Sequence, residues 1–255
     1  ATLSFNDPDN LNAINQTMLD SLDLALDHVE DPDNNIRCLI LTGAGRGFCA
    51  GANMARNPGE EDGAASNRLA DPGAGLEKFY HPLLRRLRNL HCPIVSAVNG
   101  PCAGIGMSFA LMGDMVLAGK SAFFLQAFRR IGLVPDGGAT FLLPRLVGMA
   151  RAKELTLMGE RLSADDALEW GLINRVFDDG ELLGEARTLA GELAKGPMSL
   201  GIIPTCYGKA STAAMKNSST TNGGLSARPA DQRISWRVCA PLMKNAMPIF
   251  PANRA

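Results

Sequence analysis

The segment PIVSAVNGPCAGIG, residues 93–106, is an apolar run that leads into a stretch rich in glycine. A second segment of the same kind, IRCLILTGAGRG, occupies residues 36–47. Short and nearly continuous apolar runs are typical of strands that are covered on both faces, as in parallel sheets. Each segment therefore predicts a buried strand that ends at a glycine-rich turn.

Helical periodicity occurs before and between the two predicted strands, since apolar residues recur at helical spacing in residues 18–26 and 76–87. Strands that alternate with helices predict an α/β fold. Residues 57–75, rich in Gly, Pro, Asp and Ala, are predicted to form a mobile loop or lid, because the alternation resumes after them. Residues 151–195 are predicted to be mainly helical, with Ser163 as a helix N-cap.

The composition of the 255-residue chain narrows its class. A hydrophobic fraction of 46% and a charged fraction of 20% indicate a globular protein rather than a disordered one. A formal net charge of −1 argues against nucleic-acid or membrane-surface binding. No apolar run reaches the ~18 residues of a membrane span, and no signal peptide is recognised. The chain begins at Ala1 in what reads as mid-strand, so we expect the true N-terminus to be missing.

The six cysteines form no C-x-x-C pair, and several of them lie in apolar runs. This pattern is typical of reduced, buried thiols in a cytoplasmic protein rather than of a disulfide framework or a zinc site. With three histidines in the chain, a histidine-rich metal site is not expected either. The sequence thus predicts a soluble cytoplasmic protein without a metal.

The glycines that follow the two predicted strands are candidates for nucleotide-binding loops. Their spacing is not G-x-G-x-x-G, and no G-x-x-x-x-G-K-[ST] motif occurs in the chain. Dinucleotide binding and P-loop binding are therefore disfavoured. Taken one at a time, the two segments would be interpreted as tight turns after strands.

Taken together, the ordered motifs resemble those of the crotonase (enoyl-CoA hydratase/isomerase) superfamily. The matching segments are LNAIN at 11–15, GFCAGANM at 47–54, VNGPCAGIG at 98–106, residues 123–148 and GLINRV at 171–176. The resemblance implies an α/β fold with a crotonase-type ββα spiral core in residues 1–195 and a C-terminal helical trimerisation region in residues 196–255. It also implies assembly into homotrimers or hexamers.

The resemblance further implies that two main-chain N–H groups hold the oxyanion that develops on an acyl-CoA thioester. By position these groups belong to Ala52 and Ile105, and the glycines beside them let the main chain approach the ligand. The CoA channel is expected along Asn10, Ala13, Ala50, Gly51, Ala52, Asn53 and Met54. Asn10 stands where the family often has a basic residue. CoA is part of the substrate, and no metal or redox cofactor is implied.

The chemistry that follows enolate formation depends on the acids and bases of the site. Hydratases of the family add water with two glutamates, and the motifs place Ser108 and Phe128 at those positions. Phenylalanine transfers no proton, so simple hydration of an enoyl-CoA is disfavoured. An enoyl-CoA hydratase and a non-catalytic crotonase-fold binding protein remain as alternatives.

Asp136, in the segment GLVPDGG at 132–138, is the remaining acid. On composition alone it would be interpreted as a helix N-cap. The segment resembles isomerases that act on phenylacetate-derived ring-epoxide and unsaturated acyl-CoAs, in which this aspartate is the acid/base; a related aroyl-CoA dehalogenase has its nucleophile there. We predict that Asp136 moves a proton next to the enolised thioester, in phenylacetate catabolism or fatty acid metabolism, with a pKa raised by apolar neighbours. These neighbours are Phe128, Leu133, Val134 and Phe141, and the acyl pocket is expected at Gly104, Ser108, Phe128, Leu133 and Val134.

The composition changes after residue 203. Residues 205–228 are crowded with Ser, Thr, Asn, Gly and Ala and show no helical stripe, as in a disordered tail. Back-translated and read one base earlier, residues 215–223 and 234–246 permit sequences with the charged and apolar spacing of helices. We therefore hypothesise that the sequence from about residue 204 is frameshifted, either in the gene or in the recorded sequence.

Overall fold

The computed structural model describes residues 1–53, 75–204 and 206–207. Its strands are β1 (Thr2–Phe5), β2 (Leu39–Gly43), β3 (Ile94–Val98), β4 (Pro101–Ala103), β5 (Met115–Gly119), β6 (Phe123–Leu125), β7 (Arg161–Ser163) and β8 (Arg175–Phe177). Its helices are α1 (Gln16–Glu30), α2 (His81–Arg88), α3 (Ile105–Ala110), α4 (Ala139–Leu146), α5 (Gly148–Met158), α6 (Ala164–Glu169) and α7 (Leu182–Lys195). A π-helical turn, Leu76–Tyr80, leads directly into α2, and 3₁₀ turns occupy Pro8–Asn10, Pro32–Asn34 and Ala127–Ile131.

The main sheet has five parallel strands in the order β1-β2-β3-β5-β8. The two predicted strands, β2 and β3, are neighbours, with Leu39 opposite Ile94 and Thr42 opposite Ala97. Every residue of β3 and all but the last of β2 are buried, as expected for strands covered on both faces. The predicted α/β fold is therefore confirmed. Because the two strands run in the same direction, their glycine-rich turns leave the sheet at the same edge.

Apolar side chains cover both faces of the main sheet. On one face, α7 packs in a cluster with β2 and β3. The α7 side chains in it are Leu182, Ala186 and Ala190, and the strand side chains include Ile40, Val95, Ala97 and Leu117. A larger cluster contains the buried face of α1, which is Met18, Leu19, Leu22, Leu26 and Val29. The glycine-rich segment after β3 contains β4, which belongs to a smaller sheet. In that sheet β6 pairs in parallel with β4 and antiparallel with β7.

Arg86 joins α2 to α1. Its guanidinium donates hydrogen bonds to the carboxylates of Asp27 at 2.7 Å and Glu30 at 2.9 Å, and to that of Asp23. The Arg86 side chain is 22% exposed, whereas those of Asp23 and Asp27 are 60% and 65% exposed, so each ion pair is partly screened by water. Arg86 thus links α2, which carries His81 at its first residue, to α1.

Residues 151–195 contain α5, α6 and α7, as predicted, and Ser163 caps α6 by accepting the Asp166 N–H at 3.1 Å. They also contain β7 and β8, which the prediction of a mainly helical segment missed. Strands of three residues carry too short a pattern for alternation to show.

Residues 1–195 form one compact unit, and a second unit begins at Gly196. Residues 199–204 of the second unit are helical. Most of the predicted loop at 57–75, and the tail in which the frameshift is hypothesised, lie outside the described residues. The helical trimerisation region and the frameshift thus stay predictions. In the part of the chain that is described, no helix has both the length and the apolar character needed to cross a membrane.

Candidate active site

The glycine-rich turns after β2 and β3 approach each other and pair through their main chains. We call residues 47–53 the first arm and residues 101–106 the second arm. The Cys49 N–H donates to the Pro101 carbonyl at 3.0 Å, and the Ala103 N–H donates to the Cys49 carbonyl at 2.9 Å. The two arms therefore begin as a short parallel ladder.

The ladder opens at Gly51. This residue has a φ of +108°, and a Cβ on it would lie 3.2 Å from the Ala103 carbonyl oxygen. Both the backbone conformation and the close approach therefore favour glycine there. On the far side of the first arm, the Ile14 N–H donates to Gly51 O at 2.8 Å and the Asn53 N–H donates to Ile14 O at 2.9 Å. Because Ile14 pairs with the residues on either side of Ala52, the Ala52 N–H points away from Ile14.

Ile105 is the first residue of α3, and the first N–H groups of a helix have no acceptor inside it. The preceding Gly104 has a φ of +52°, and its N–H is taken by the Leu125 carbonyl at 2.9 Å. Within the described residues, neither the Ala52 N–H nor the Ile105 N–H has a hydrogen-bond acceptor. Each arm therefore carries one main-chain donor that has no acceptor in the described part of the chain.

Gly106 and Cys49 hold the arms in contact. A Cβ on Gly106 would lie 2.4 Å from the Cys49 carbonyl oxygen and 2.7 Å from its Sγ. Burial raises the pKa of the Cys49 thiol to about 12, and burial also raises that of Cys102 well above its ordinary value. Both thiols thus stay protonated and act in packing rather than as nucleophiles.

Asp136 lies in the irregular stretch between the 3₁₀ turn at 127–131 and α4. It does not cap α4, whose N-cap is Gly138 without a side-chain hydrogen bond, so the interpretation as an N-cap is wrong. Its Oδ1 is buried and has no hydrogen-bond partner among the described residues. Burial raises the pKa of Asp136 from 3.8 to about 6, and the charge of His81 lowers it by less. A half-buried carboxyl with one buried, unpartnered oxygen and this pKa is suited to proton transfer near neutral pH.

Two contacts attach the Asp136–Gly137 segment to helix α3, whose first residue is Ile105 of the second arm. The Ser108 hydroxyl, in the buried helix α3, donates to the main-chain carbonyl of Asp136 at 3.2 Å. A Cβ on Gly137 would lie 2.4 Å from Ile105 Cδ1 and 2.7 Å from Ser108 Oγ. The residue after Asp136 is therefore in contact with the predicted donor Ile105. The structure thus brings two of the three predicted catalytic residues together through Gly137 and Ser108.

The residues expected to line the acyl pocket fall into two groups. Phe128 is 6% exposed and lies against Gly104, whose Cβ would be 3.8 Å from the ring. Leu133 and Val134, in contrast, are 39% and 77% exposed, and their place in the acyl pocket stays a prediction. They belong to a surface stretch that is not held in a helix or strand. Phe141 lies 3.6 Å from the Arg145 guanidinium, measured to its ring centroid, so it is not a purely apolar neighbour either.

The residues expected along the CoA channel come from two segments that the fold joins. The Ala50 N–H donates to the Leu11 carbonyl at 3.0 Å, which places the 10–14 segment beside the first arm. Asn10 is exposed and donates to the Asp7 carboxylate at 3.0 Å. Ala13, Ala50 and Asn53 are half-buried, Gly51 is buried and Ala52 is exposed. Met54 lies outside the described residues.

His81 and Glu77 were not expected from the sequence to lie near the site. The Nδ1 atom of His81 is 2.7 Å from Glu77 Oε2, and His81 is close enough to Asp136 for its charge to act on the carboxyl. The Glu77–His81 spacing of four residues is visible in the sequence as a helical pair. No local pattern shows that the charge of His81 acts on Asp136, because the two residues are 55 positions apart in the sequence. In the described segments, no group of three or more His, Cys, Asp or Glu residues could hold a metal ion.

The comparisons with known proteins all find relatives of the same kind. The family model described as enoyl-CoA hydratase/isomerase matches residues 1–233. The chain is 47% identical over 212 residues to the 1,2-epoxyphenylacetyl-CoA isomerase of Escherichia coli, covering 83% of this chain and 79% of that protein. It is 39% identical to a Rhodobacter capsulatus protein named "Probable enoyl-CoA hydratase", covering 77% and 72%. The solved structure of an enoyl-CoA hydratase from Mycobacterium avium subsp. paratuberculosis superimposes with a TM-score of 0.70 at 31% identity, covering 85% of this chain and 80% of that one.

Proposed function

The chain belongs to the enoyl-CoA hydratase/isomerase family, and we propose that within it the protein is an acyl-CoA thioester isomerase that uses one aspartate as acid and base. The observation that carries the proposal is the environment of Asp136. Its Oδ1 is buried and has no partner among the described residues, its main-chain carbonyl accepts a hydrogen bond from Ser108 of α3, and the next residue, Gly137, lies against Ile105. Membership of the family makes an acyl-CoA the expected substrate.

The first step is removal of a proton from a carbon conjugated with the thioester. The Asp136 carboxylate takes the proton, and the electron pair of the broken C–H bond moves to the thioester oxygen, which becomes an enolate oxygen. The N–H groups of Ala52 and Ile105 donate to that oxygen as its negative charge develops. Each such donor contributes roughly 10²- to 10³-fold to the rate in enzymes of this kind.

The second step returns the proton from the Asp136 carboxyl to a different carbon, and the thioester carbonyl re-forms. Substrate and product then have the same atoms, and the enzyme recovers its carboxylate. One carboxyl suffices for this shuttle. Hydration would also need a group to activate or deliver water, and the two positions that hold glutamates in hydratases hold Ser108 and Phe128 here. The Ser108 hydroxyl is already used to bind the main chain of Asp136.

The substrate class is proposed from the relative in Escherichia coli, whose name assigns it 1,2-epoxyphenylacetyl-CoA. We extend this to ring-epoxide and unsaturated acyl-CoAs derived from phenylacetate. A cytoplasmic homotrimer or hexamer is proposed on the same family basis. An enoyl-CoA hydratase is the second candidate, since relatives with that name match over most of the chain.

The test is a panel of purified ring-derived and straight-chain unsaturated acyl-CoAs, with products identified by mass spectrometry. An isomerase gives a product of unchanged mass at a new retention time, whereas a hydratase gives a product heavier by one water. Asp136→Asn is expected to lower isomer formation by about 10²- to 10⁴-fold, the usual contribution of a general acid/base, while CoA-ester binding persists. Full activity of this variant would remove Asp136 from the mechanism, and a hydrated product would favour the second candidate.

A further inference from the structure

Two asparagines hold the turn that connects β2 to the first arm, and they do so with the same number of hydrogen bonds. Asn12 Nδ2 donates to Gly47 O at 2.7 Å and to Ala44 O at 2.9 Å, and Asn12 Oδ1 accepts the Asp7 N–H at 2.8 Å. Asn99 Nδ2 donates to two carbonyls of the same turn at 2.9 Å each, and its Oδ1 accepts a turn N–H at 3.2 Å. The sequence analysis assigned neither side chain a role.

Asn12 is unusual both in its burial and in its backbone conformation. It is fully buried, with 0% exposure, and its φ is +58°. A buried amide is tolerated when its donors and acceptor are all used, as they are here. A left-handed backbone is sparsely populated by residues other than glycine, although asparagine adopts it more readily than most. The surrounding structure therefore compensates for both features to keep this side chain in place.

What distinguishes Asn12 from Asn99 is the segment that each belongs to. The neighbours of Asn12 continue into the first arm, because Leu11 O accepts from Ala50 N at 3.0 Å and Ile14 pairs with Gly51 and Asn53. A side chain anchored at Gly47 thus lies in the same short segment that orients Ala52. Asn99 instead precedes the second arm and binds Gly43 and Gly45 of the turn.

We propose that Asn12 is a positioning residue for the oxyanion donor Ala52: its amide locks the 11–14 segment onto the turn, and that segment aims the Ala52 N–H at the thioester oxygen. The inference rests on the proposed function in taking Ala52 as a donor. A merely structural Asn12 would resemble Asn99, which binds the same turn without contacting the residues around Ala52. The pair thus provides a matched comparison within one chain.

The experiment compares Asn12→Ala with Asn99→Ala in the full chain. The probes are phenylacetyl-CoA, which has the thioester carbonyl, and S-(2-phenylethyl)-CoA, the matching thioether that lacks it. Asn12→Ala is expected to weaken phenylacetyl-CoA binding by about tenfold, which is less than the roughly 10²- to 10³-fold loss of rate caused by removing one oxyanion donor because the bound thioester carries less charge than the enolate, and to weaken thioether binding less. Asn99→Ala is expected to lower the melting temperature about as much as Asn12→Ala does, because each removes three hydrogen bonds. It is expected to leave the affinity for both probes unchanged.

Hydrogen exchange followed by mass spectrometry adds a readout that needs no ligand. Asn12→Ala should speed amide exchange in residues 49–53, whereas Asn99→Ala should not. If Asn12→Ala fails to fold, Asn12→Gly replaces it, because glycine accepts a φ of +58° without strain and still removes the amide.

Equal effects of the two substitutions on thioester binding would overturn the inference, and so would a parallel loss of thioester and thioether affinity in Asn12→Ala. A wild-type protein that binds neither probe would count against the proposed substrate class instead. A wild-type protein that binds both probes but forms no isomer would refute the proposed reaction and leave the role of Asn12 measurable.

Discussion

The two arms of the candidate site supply the same kind of group, one main-chain N–H each, but they are held in different ways. The first arm, residues 47–53, is fixed by hydrogen bonds from outside it, through Asn12 and through the pairing of Ile14 with its neighbours. The second arm, residues 101–106, is fixed by its own secondary structure. It passes from β4, paired in parallel with β6, directly into α3, in which every residue is buried.

This difference predicts which kind of substitution disrupts each arm. A segment held by side-chain hydrogen bonds is displaced when one buried partner is deleted, because the remaining polar groups lose their acceptors or donors. A segment held by close packing tolerates the loss of a hydrogen bond better but is disrupted when volume is added. The substitutions below test this contrast, beginning with the largest expected effect.

Gly106→Ala should be the most damaging change in the second arm. The added Cβ would lie 2.4 Å from the Cys49 carbonyl oxygen and 2.8 Å from Cys49 Cβ, so the arms must separate at the point where they are joined. We expect the turnover number to fall by at least 10²-fold, the contribution of a single donor, together with about 1–3 kcal/mol of stability. Steady-state assays and denaturant unfolding measure the two effects.

The control is Gly191→Ala in α7, where a Cβ meets nothing within 4 Å. The same substitution there should leave turnover unchanged and raise stability by about 0.5–1 kcal/mol, because alanine favours a helix interior. A Gly106→Ala variant with wild-type turnover would show that the arms need not remain in contact for catalysis.

Gly137→Ala tests whether the second arm also sets the position of the acid/base. Its Cβ would lie 2.4 Å from Ile105 Cδ1, which would push Asp136 away from that donor. We expect the turnover number to fall by about tenfold to 10²-fold, since small misplacements of a reacting group have effects of this size. Single-turnover kinetics with a saturating acyl-CoA would measure the chemical step.

Gly138→Ala is the matched control, because Gly138 also has a positive φ, +83°, but a Cβ on it meets nothing within 4 Å. Both variants carry the backbone strain of alanine in the left-handed region, and one of them also carries the steric contact with Ile105. Equal losses in the two variants would attribute the effect to strain and would contradict the proposed contact.

His81→Asn should have the smallest effect and should change the pH profile rather than the maximal rate. Asp136 must be deprotonated to act as a base, and burial raises its pKa to about 6, so the rate is expected to fall as the pH drops through that value. The charge of His81 lowers the pKa of Asp136. Removing it should therefore move the acid limb to higher pH and reduce the rate near pH 6 by roughly threefold.

His28→Asn is the comparison for this measurement, because His28 is on α1 and hydrogen-bonds to Asn34 on the surface. Its profile should coincide with that of the wild type. An acid limb that moves to lower pH in His81→Asn would mean that His81 does not stabilise the charged form of Asp136.

The two strands and the candidate residues of the site show how much could be predicted from the sequence. The apolar runs at 36–42 and 93–98 predicted β2 and β3, because a strand buried on both faces needs apolar residues at nearly every position. Asp136 stood out as an acid in an apolar, glycine-flanked segment, and the structure adds that one of its oxygens is buried without a partner. The family motifs pointed to Ala52 and Ile105, whose N–H groups lack acceptors within the described chain.

The failures have a common cause. Asn12 was passed over inside a motif attributed to CoA contact, although its side chain points inward to Gly47. His81 was read as one of three scattered histidines, although its charge reaches Asp136. Each error concerns the direction of a side chain or a contact between distant segments.

The amino-acid sequence by itself determined the α/β class and the two strand–glycine turns and made Asp136 a candidate acid for the site, because hydrophobic periodicity and chemical type are local properties. Only the tertiary structure decided that the two turns meet at Cys49 and Gly106, that Ser108 binds the main chain of Asp136, and that Asn12 and Asn99 hold the same turn. These are hydrogen bonds and close contacts between segments 28 to 57 residues apart. Their geometry follows from how the sheet and helices pack, which no single stretch of the chain encodes.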